Sequence, residues 1–315
     1  ALPVIGEYFN TIGSELTPLY PTSQYGYWGG ASTQTWVERM EFYNDDKQTI
    51  YKAAFNPKID NGTSATSSQY YGYWYGGDAP SAITTVQRLD YSDDTTTLVV
   101  KGPLSTTLSQ SIAVGNKDFG YVSVGPSPGG YRTIVTRNDY SDDTATTLDK
   151  GPLESGRRMH GAAGNADYGY FGGGYFSPGN ECTIIDRIDY MNDSATATPK
   201  GNLTRNRAQF NATGNVNYAY WTGGQPGPVS SVDRSDYSND TATAVVKGNL
   251  GYQRSNQAAT GNQDYGYFGG GDRQGKSYFD RIDYSNDTAQ ALTRGKTASY
   301  QDGFAGVSAG LVDYW

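Results

Sequence analysis

Histidine and cysteine are almost missing from this 315-residue chain, with His160 and Cys182 each standing alone. A single cysteine excludes an intrachain disulfide, so nothing points to an oxidising compartment. A serine triad would have to rest on His160, one loop residue. Long apolar runs are missing too. No stretch approaches the roughly 20 apolar residues of a membrane span, and the start lacks the basic and apolar regions of a secretory leader. Apolar residues nowhere recur at helical spacing, which predicts almost no helix. Positive charge is in deficit: 24 Lys and Arg face 32 Asp and Glu, for a net charge of −8. That balance argues against general nucleic-acid binding. Apolar residues make up only 36% of the chain, yet 41 glycines and 28 tyrosines imply a turn-rich fold with a hydroxyl-rich core rather than disorder.

What the chain does have is repetition. The phrase Tyr-Gly-Tyr-Phe/Trp-(Gly/Thr)-Gly recurs from Tyr25, Tyr71, Phe119, Tyr168, Tyr218 and Tyr265, at spacings of 46 to 50 residues, with a truncated copy at Val312–Trp315. A second phrase, Val-x-Arg-x-Asp-Tyr, follows each full copy, as in Ile185–Tyr190 and Val232–Tyr237. Next come an Asn-Asp turn, a Thr/Ala run, a Lys-Gly-Pro/Asn-Leu phrase and a small-residue stretch such as Gly161–Asn165. These are four short β-type runs per repeat, separated by Gly, Asn, Asp and Pro clusters. A unit of this size cannot bury its apolar surface alone. Four strands per repeat make an all-β propeller of four-stranded blades.

Repeats start near 15, 64, 109, 159, 209 and 256, within one domain spanning 1–315. Counting small-residue strands from Leu16–Tyr20 to Phe304–Ala309 gives seven blades, with a final partial blade, 303–315, completed by Ala1–Asn10. Six blades is the alternative. Ala1 in place of an initiator Met is expected of a trimmed N-terminus or a segment of a longer chain.

The strand order resembles the kelch family, although Thr or Ala stands where kelch repeats carry a fourth-strand Trp. The wording YGYFGGG…IDRIDYSNDTAT is similar to kelch-like repeats in virion structural proteins of marine cyanobacterial phages. That resemblance covers Tyr25 to Trp315. It implies a viral structural protein located in the virion, or extracellularly, with other virion proteins as partners. The copper chemistry of galactose-oxidase-type kelch proteins is not expected, because it needs more than one histidine. No cofactor, no metal and no catalysis are expected.

Alternate residues of a strand share a face. Ile185, Arg187 and Asp189 therefore project together, and the recurring Arg and acid predict blade-to-blade ion pairs. Tyr27, Tyr73, Tyr121, Tyr170, Tyr220, Tyr267 and Tyr314 occupy one strand position and predict packing between blades through rings with partnered hydroxyls. Turns such as Asn192-Asp193 lack the acidic run and fixed glycine of an EF-hand and read as plain hairpins.

One face of the array should be repetitive and acidic. The other should carry the variable loops, where recognition usually sits. Those loops hold Arg157, Arg158, His160, Arg205, Arg207, Arg254 and Arg273, interleaved with Tyr131, Tyr175, Phe176, Tyr252 and Tyr278. Arginine forks bind carboxylate and phosphate, and aromatic rings stack on sugars. The expected function is non-enzymatic attachment to a host surface polysaccharide, an anionic one by preference, or to another receptor. The alternative is a structural appendage or decoration module contacting other virion subunits, including copies of itself. Neither reading needs nucleic acid or membrane insertion.

Overall fold

The computed structural model describes residues 24–31, 35–79, 81–123, 125–127, 130–177, 180–227, 229–272, 277–298 and 305–308. Six four-stranded antiparallel sheets are arranged around an axis, making a six-bladed β-propeller. The small-residue stretches form the innermost strands: Ser64–Ser67, Ile112–Gly115, Gly161–Gly164, Asn211–Gly214, Ala258–Gly261 and Ala305–Ser308. Small side chains suit that position, because each inner strand packs against an inner strand on either side. The Tyr-Gly-Tyr phrases are the second strands, from Tyr25–Gly29 to Tyr265–Gly269. The Val-x-Arg-x-Asp phrases are the third, from Trp36–Glu41 to Tyr278–Asp283.

The blade number is six, not seven. Ala305–Ser308, counted above as the start of a seventh blade, pairs with Tyr25–Gly29 (Tyr27 opposite Val307) and supplies the first blade's innermost strand. It touches the inner strands of the second and sixth blades, so the ring shuts at six. The proposed closure by Ala1–Asn10, the strand Leu16–Tyr20 and the truncated copy at Val312–Trp315 lie outside the described residues.

Buried apolar side chains fall into six separate layers, each between two blades. Tyr170, Ile185, Phe210 and Trp221 fill one, and Tyr220, Val232, Phe268 and Ile282 the next. The alternation of the second strand explains this: Tyr220 faces the following blade while its neighbour Trp221 faces the preceding one.

Beside every layer sits one carboxylate with three donors. At Asp240 the Arg187 guanidinium (2.7 Å), the Lys200 ammonium (3.3 Å) and the Tyr170 hydroxyl (3.0 Å) converge from the preceding blade. The same arrangement recurs at Asp94, Asp143, Asp193 and Asp287. At the closing junction Arg281, Arg294 and Tyr267 meet Asp45. The arginine is also laid over an aromatic ring of its own blade, for example Arg187 at 4.1 Å from the Tyr168 ring centroid. Each interblade tyrosine stacks on the next blade's aromatic, as Tyr170 does on Tyr237 at 5.0 Å.

The expected blade-to-blade ion pair is therefore present, but with a different acid. The in-strand Asp189 caps the following turn by accepting from the Met191 backbone N–H. Arg187 reaches the turn aspartate of the next blade instead. In five of the six blades that turn is a short 3₁₀ segment, such as Tyr190–Asn192 ahead of Asp193. Burial raises the Asp193 carboxyl, but the Tyr121 hydroxyl, Lys150 and Arg137 together hold it below the usual carboxylate range.

The Lys-Gly phrase completes the junction. The Gly201 N–H donates to the Asp240 carbonyl at 2.7 Å, and a Cβ on Gly201 would lie 1.7 Å from the Ala242 carbonyl oxygen. Only glycine permits that approach.

Asp240 is 11% and Arg187 23% exposed, so solvent moderates the loss of either. Asp240→Ala is expected to lower stability by about 2–4 kcal/mol, since it strands three donors. Arg187→Ala should cost less, because Lys200 and Tyr170 remain. A urea titration reads both; equal costs would show that the carboxylate does not organise the junction.

Candidate functional site

The loops leading into the inner strands and those joining second to third strands share one face, as expected. The structure sorts the basic residues of that face into two kinds. Arg157, Arg207 and Arg254 each lie four residues before an inner strand, and their side chains are fully buried. Each pairs with a buried aspartate in the third strand of its own blade: Arg157 with Asp186 at 2.6 Å, Arg207 with Asp233 at 3.2 Å, Arg254 with Asp280 at 2.9 Å. Further donors go to backbone carbonyls, as in Arg207 to those of Trp221 and Gly223, while Nε of Arg157 and of Arg207 has no partner. These three arginines tie the incoming loop to the blade. As ligand contacts they are corrected, because each guanidinium is fully buried and ion-paired inside its blade.

Arg158 is different. It is half-buried, sits 5.6 Å from the ring centroids of both Tyr131 and Tyr175, and donates to the Gln110 side chain at 2.6 Å. Tyr131 and Tyr175 are presented by two short hairpins, Pro126–Ser127 with Gly130–Tyr131 and Tyr175–Ser177 with Asn180–Glu181. Tyr252 stacks on Tyr278 with centroids 6.1 Å apart, and Lys296 lies 4.8 Å from the Tyr278 ring. Arg205 is half-exposed, with a contact of 3.4 Å to the Pro226 carbonyl. Arg273 lies outside the described residues.

The axis itself opens on this face as a cavity of about 360 Å³. Among its lining residues are Gln110, Met159, His160, Gln209, Asn256 and Gln257, and no described lining residue is charged. Four of these, Gln110, Met159, Gln209 and Asn256, occupy the same repeat position in successive blades with φ between 52° and 55°. A left-handed backbone at a non-glycine residue costs roughly 1 kcal/mol or more. Here it is fixed by hydrogen bonds running around the axis: Met159 N–H to the Gln110 carbonyl, Gln209 to Met159, and Asn256 to Gln209, at 3.3, 2.7 and 2.8 Å.

His160 immediately precedes an inner strand and is 2% exposed, with its ring 5.8 Å from that of Phe171. Neither imidazole nitrogen has a hydrogen-bond partner. Burial, then the nearby positive charge of Arg157, drive its pKa well below the ordinary value, so the ring is neutral. Gln257 holds the same repeat position two blades on. Its amide N–H donates to the Thr222 carbonyl at 2.5 Å, while its Oε1 has no partner. A buried polar atom left unpaired costs about 1–3 kcal/mol, so both side chains are held at a cost to stability. Sequence reasoning named His160 but passed over Gln257 and the left-handed residues, which no local motif marks. Among the described residues, no three His, Cys, Asp or Glu side chains cluster as a metal site would require.

Arg207→Met and Arg254→Met, each stranding a buried aspartate, are expected to lower stability by about 3–5 kcal/mol, with Arg205→Ala within about 0.5 kcal/mol of the parent. Denaturant midpoints test the contrast. His160 should take up no proton near pH 6.5, the ordinary histidine value. The unfolded chain binds that proton first, so His160 contributes a loss of stability as pH falls below about 6.5. An imidazole NMR signal titrating near pH 6.5 would contradict its burial.

No protein-family model matches the chain, and no curated protein matches it in sequence. In structure it is similar to the solved protein titled "Structure of YjhT", with a TM-score of 0.68, over 88% of this chain and 98% of that one. At 12% identity the likeness is one of fold: both chains are β-propellers.

Proposed function

We propose that this chain is a non-catalytic, virion-associated propeller that attaches to a host surface glycan through its variable loop face. The observation that carries the reading is the station formed by Tyr131, Arg158 and Tyr175. Two tyrosine rings carried by hairpins meet the guanidinium of Arg158, from the loop entering an inner strand, and Arg158 bonds Gln110 of the axial cavity's wall. Aromatic faces pack on the apolar faces of sugars while their polar tips and the arginine bond hydroxyl groups. Tyr252, Tyr278 and Lys296 make a second cluster of the same chemistry. The virion assignment rests on the resemblance of the repeats to phage structural proteins. A preference for anionic glycans has less support than the loop composition suggested, since three of the seven basic loop residues are spent on internal aspartates.

One observation favours the alternative of a structural module. Val99, Val100, Leu148, Val245, Val246 and Leu292, all on the outermost strands, are more than half exposed. Outer strands that are apolar and unpaired on one edge suit contact with neighbouring subunits.

Tyr131→Ala combined with Arg158→Ala is expected to weaken binding to host cells or their purified polysaccharide by about tenfold or more, equivalent to roughly 1.4 kcal/mol. The melting temperature should stay near that of the parent. Undiminished binding by the double variant would reject this site. A parent chain that binds no glycan yet assembles with itself or with other particle proteins would favour the structural module.

A further inference from the structure

We infer that the station formed by Tyr131, Arg158 and Tyr175 selects an acidic sugar, with Arg158 taking the carboxylate of a uronic acid residue. This names the substrate class of the site proposed above and rests on that reading.

The first observation is a missing acid. Among the described residues, every arginine except Arg132, Arg158 and Arg205 lies within 3.3 Å of a carboxylate oxygen. That holds even for Arg187, which is 23% exposed. Arg158 is half-buried, yet its side-chain partner is the neutral amide of Gln110. Arg132 adjoins Tyr131 in the chain and donates to the Thr106 hydroxyl at 2.8 Å. The loop carrying Arg158 packs on this segment, since a Cβ on Gly156 would lie 2.4 Å from the Tyr131 carbonyl oxygen. The junction of the third and fourth blades therefore holds two guanidinium groups without acids, on a chain whose net charge is −8. Positive charge concentrated against that background draws an anion.

The second is the state of the Arg158 fork. Nη1 donates to Gln110 Oε1, which fixes the direction of the guanidinium. Nη2 has no acceptor among the described residues and, unlike Nε, is not sealed from solvent. The two tyrosine rings, each with its centroid 5.6 Å away, exclude part of the hydration of the group without cancelling its charge. Arginine cannot shed that charge by losing a proton. An incoming carboxylate thus meets a donor that is oriented, accessible and partly stripped of water. Such a charge-assisted bond is roughly twice as strong as one to a neutral hydroxyl.

The third is the size of the charge the station can hold. Glu181 faces Tyr175 across its hairpin, and after burial its charge is what most raises the pKa of the Tyr175 phenol. A phosphate monoester would bring about 1.5–2 negative charges beside that carboxylate, more than Arg158 neutralises. A uronic acid brings one, and its pyranose ring offers C–H faces to Tyr131 and Tyr175.

The experiment titrates the methyl glycosides of glucuronic and galacturonic acid into the whole labelled chain, each beside its own methyl ester. Glucose 6-phosphate serves as a second anion. Guanidinium NMR signals are followed, with that of Arg158 identified by its loss in Arg158→Gln, and binding of host polysaccharide is measured in parallel. The expected result is a saturable shift of the Arg158 signal with at least one free acid, bound at least about tenfold more tightly than its ester. Added salt should weaken the acid and leave the ester unchanged. Arg158→Gln should bind acid and ester alike while melting near the temperature of the parent. Equal binding of acid and ester by the parent would overturn the acidic class and leave attachment through the loops intact. So would polysaccharide binding with the Arg158 signal unmoved by every sugar. Discrimination that survives in Arg158→Gln would overturn the assignment to Arg158, and tighter binding of the phosphate would overturn the carboxylate. Absence of any glycan binding would overturn this inference and the attachment reading together.

Discussion

Each junction between blades is organised by a single turn carboxylate that belongs to one blade and is bonded almost entirely by the other. Asp240 can be buried to that extent only because arginine, lysine and tyrosine arrive from the preceding blade, and those three lose their partner if the blades separate. The apolar layers beside these nodes are made of rings rather than long aliphatic chains. Polar pairing and aromatic stacking therefore act at the same place, and a chain with few aliphatic residues builds a continuous interior. The node also fixes the turn in which the aspartate sits, so a hairpin that might have been a surface detail becomes a structural joint.

Much of this was legible in the sequence because it is written six times. A residue that recurs in every copy cannot belong to one pocket, so the arginine of the Val-x-Arg-x-Asp phrase read as a joint. The acid it meets did not follow, because each repeat offers two, as at Asp189 and Asp193. Which one faces the preceding blade depends on the short helical turn between them. The blade count failed for a related reason. A small-residue strand near the end of the chain reads the same whether it begins a new blade or completes the first.

The site was harder. Of the basic loop residues, Arg157, Arg207 and Arg254 carried a signal that was available: they occur in the three repeats whose third strand reads x-Asp-Arg, at Asp186, Asp233 and Asp280. The other repeats place Glu38, Gln87 and Thr136 there, and the buried Arg–Asp pair is absent from those blades among the described residues. His160 and Gln257 sit where other repeats have Thr63, Ser111 and Phe210. Their importance comes from what the ring brings around them, which no single repeat contains. Residues that repeat build the frame, and residues that depart from the repeat define the opening at its axis.

Closure of the first blade by Ala305–Ser308 has a consequence for how the chain reaches this state. Three strands of that blade precede the other five blades in the chain and its innermost strand follows them, so during synthesis the first blade waits with an open inner edge. The intervening five blades can assemble against one another in order as they emerge. A solenoid of such repeats would tolerate the loss of an end unit, since only one neighbour would notice. In a ring, each blade has two neighbours and the final strand sets the curvature of all of them. The molecule is thereby held to one number of blades by the pairing of two segments far apart in the chain.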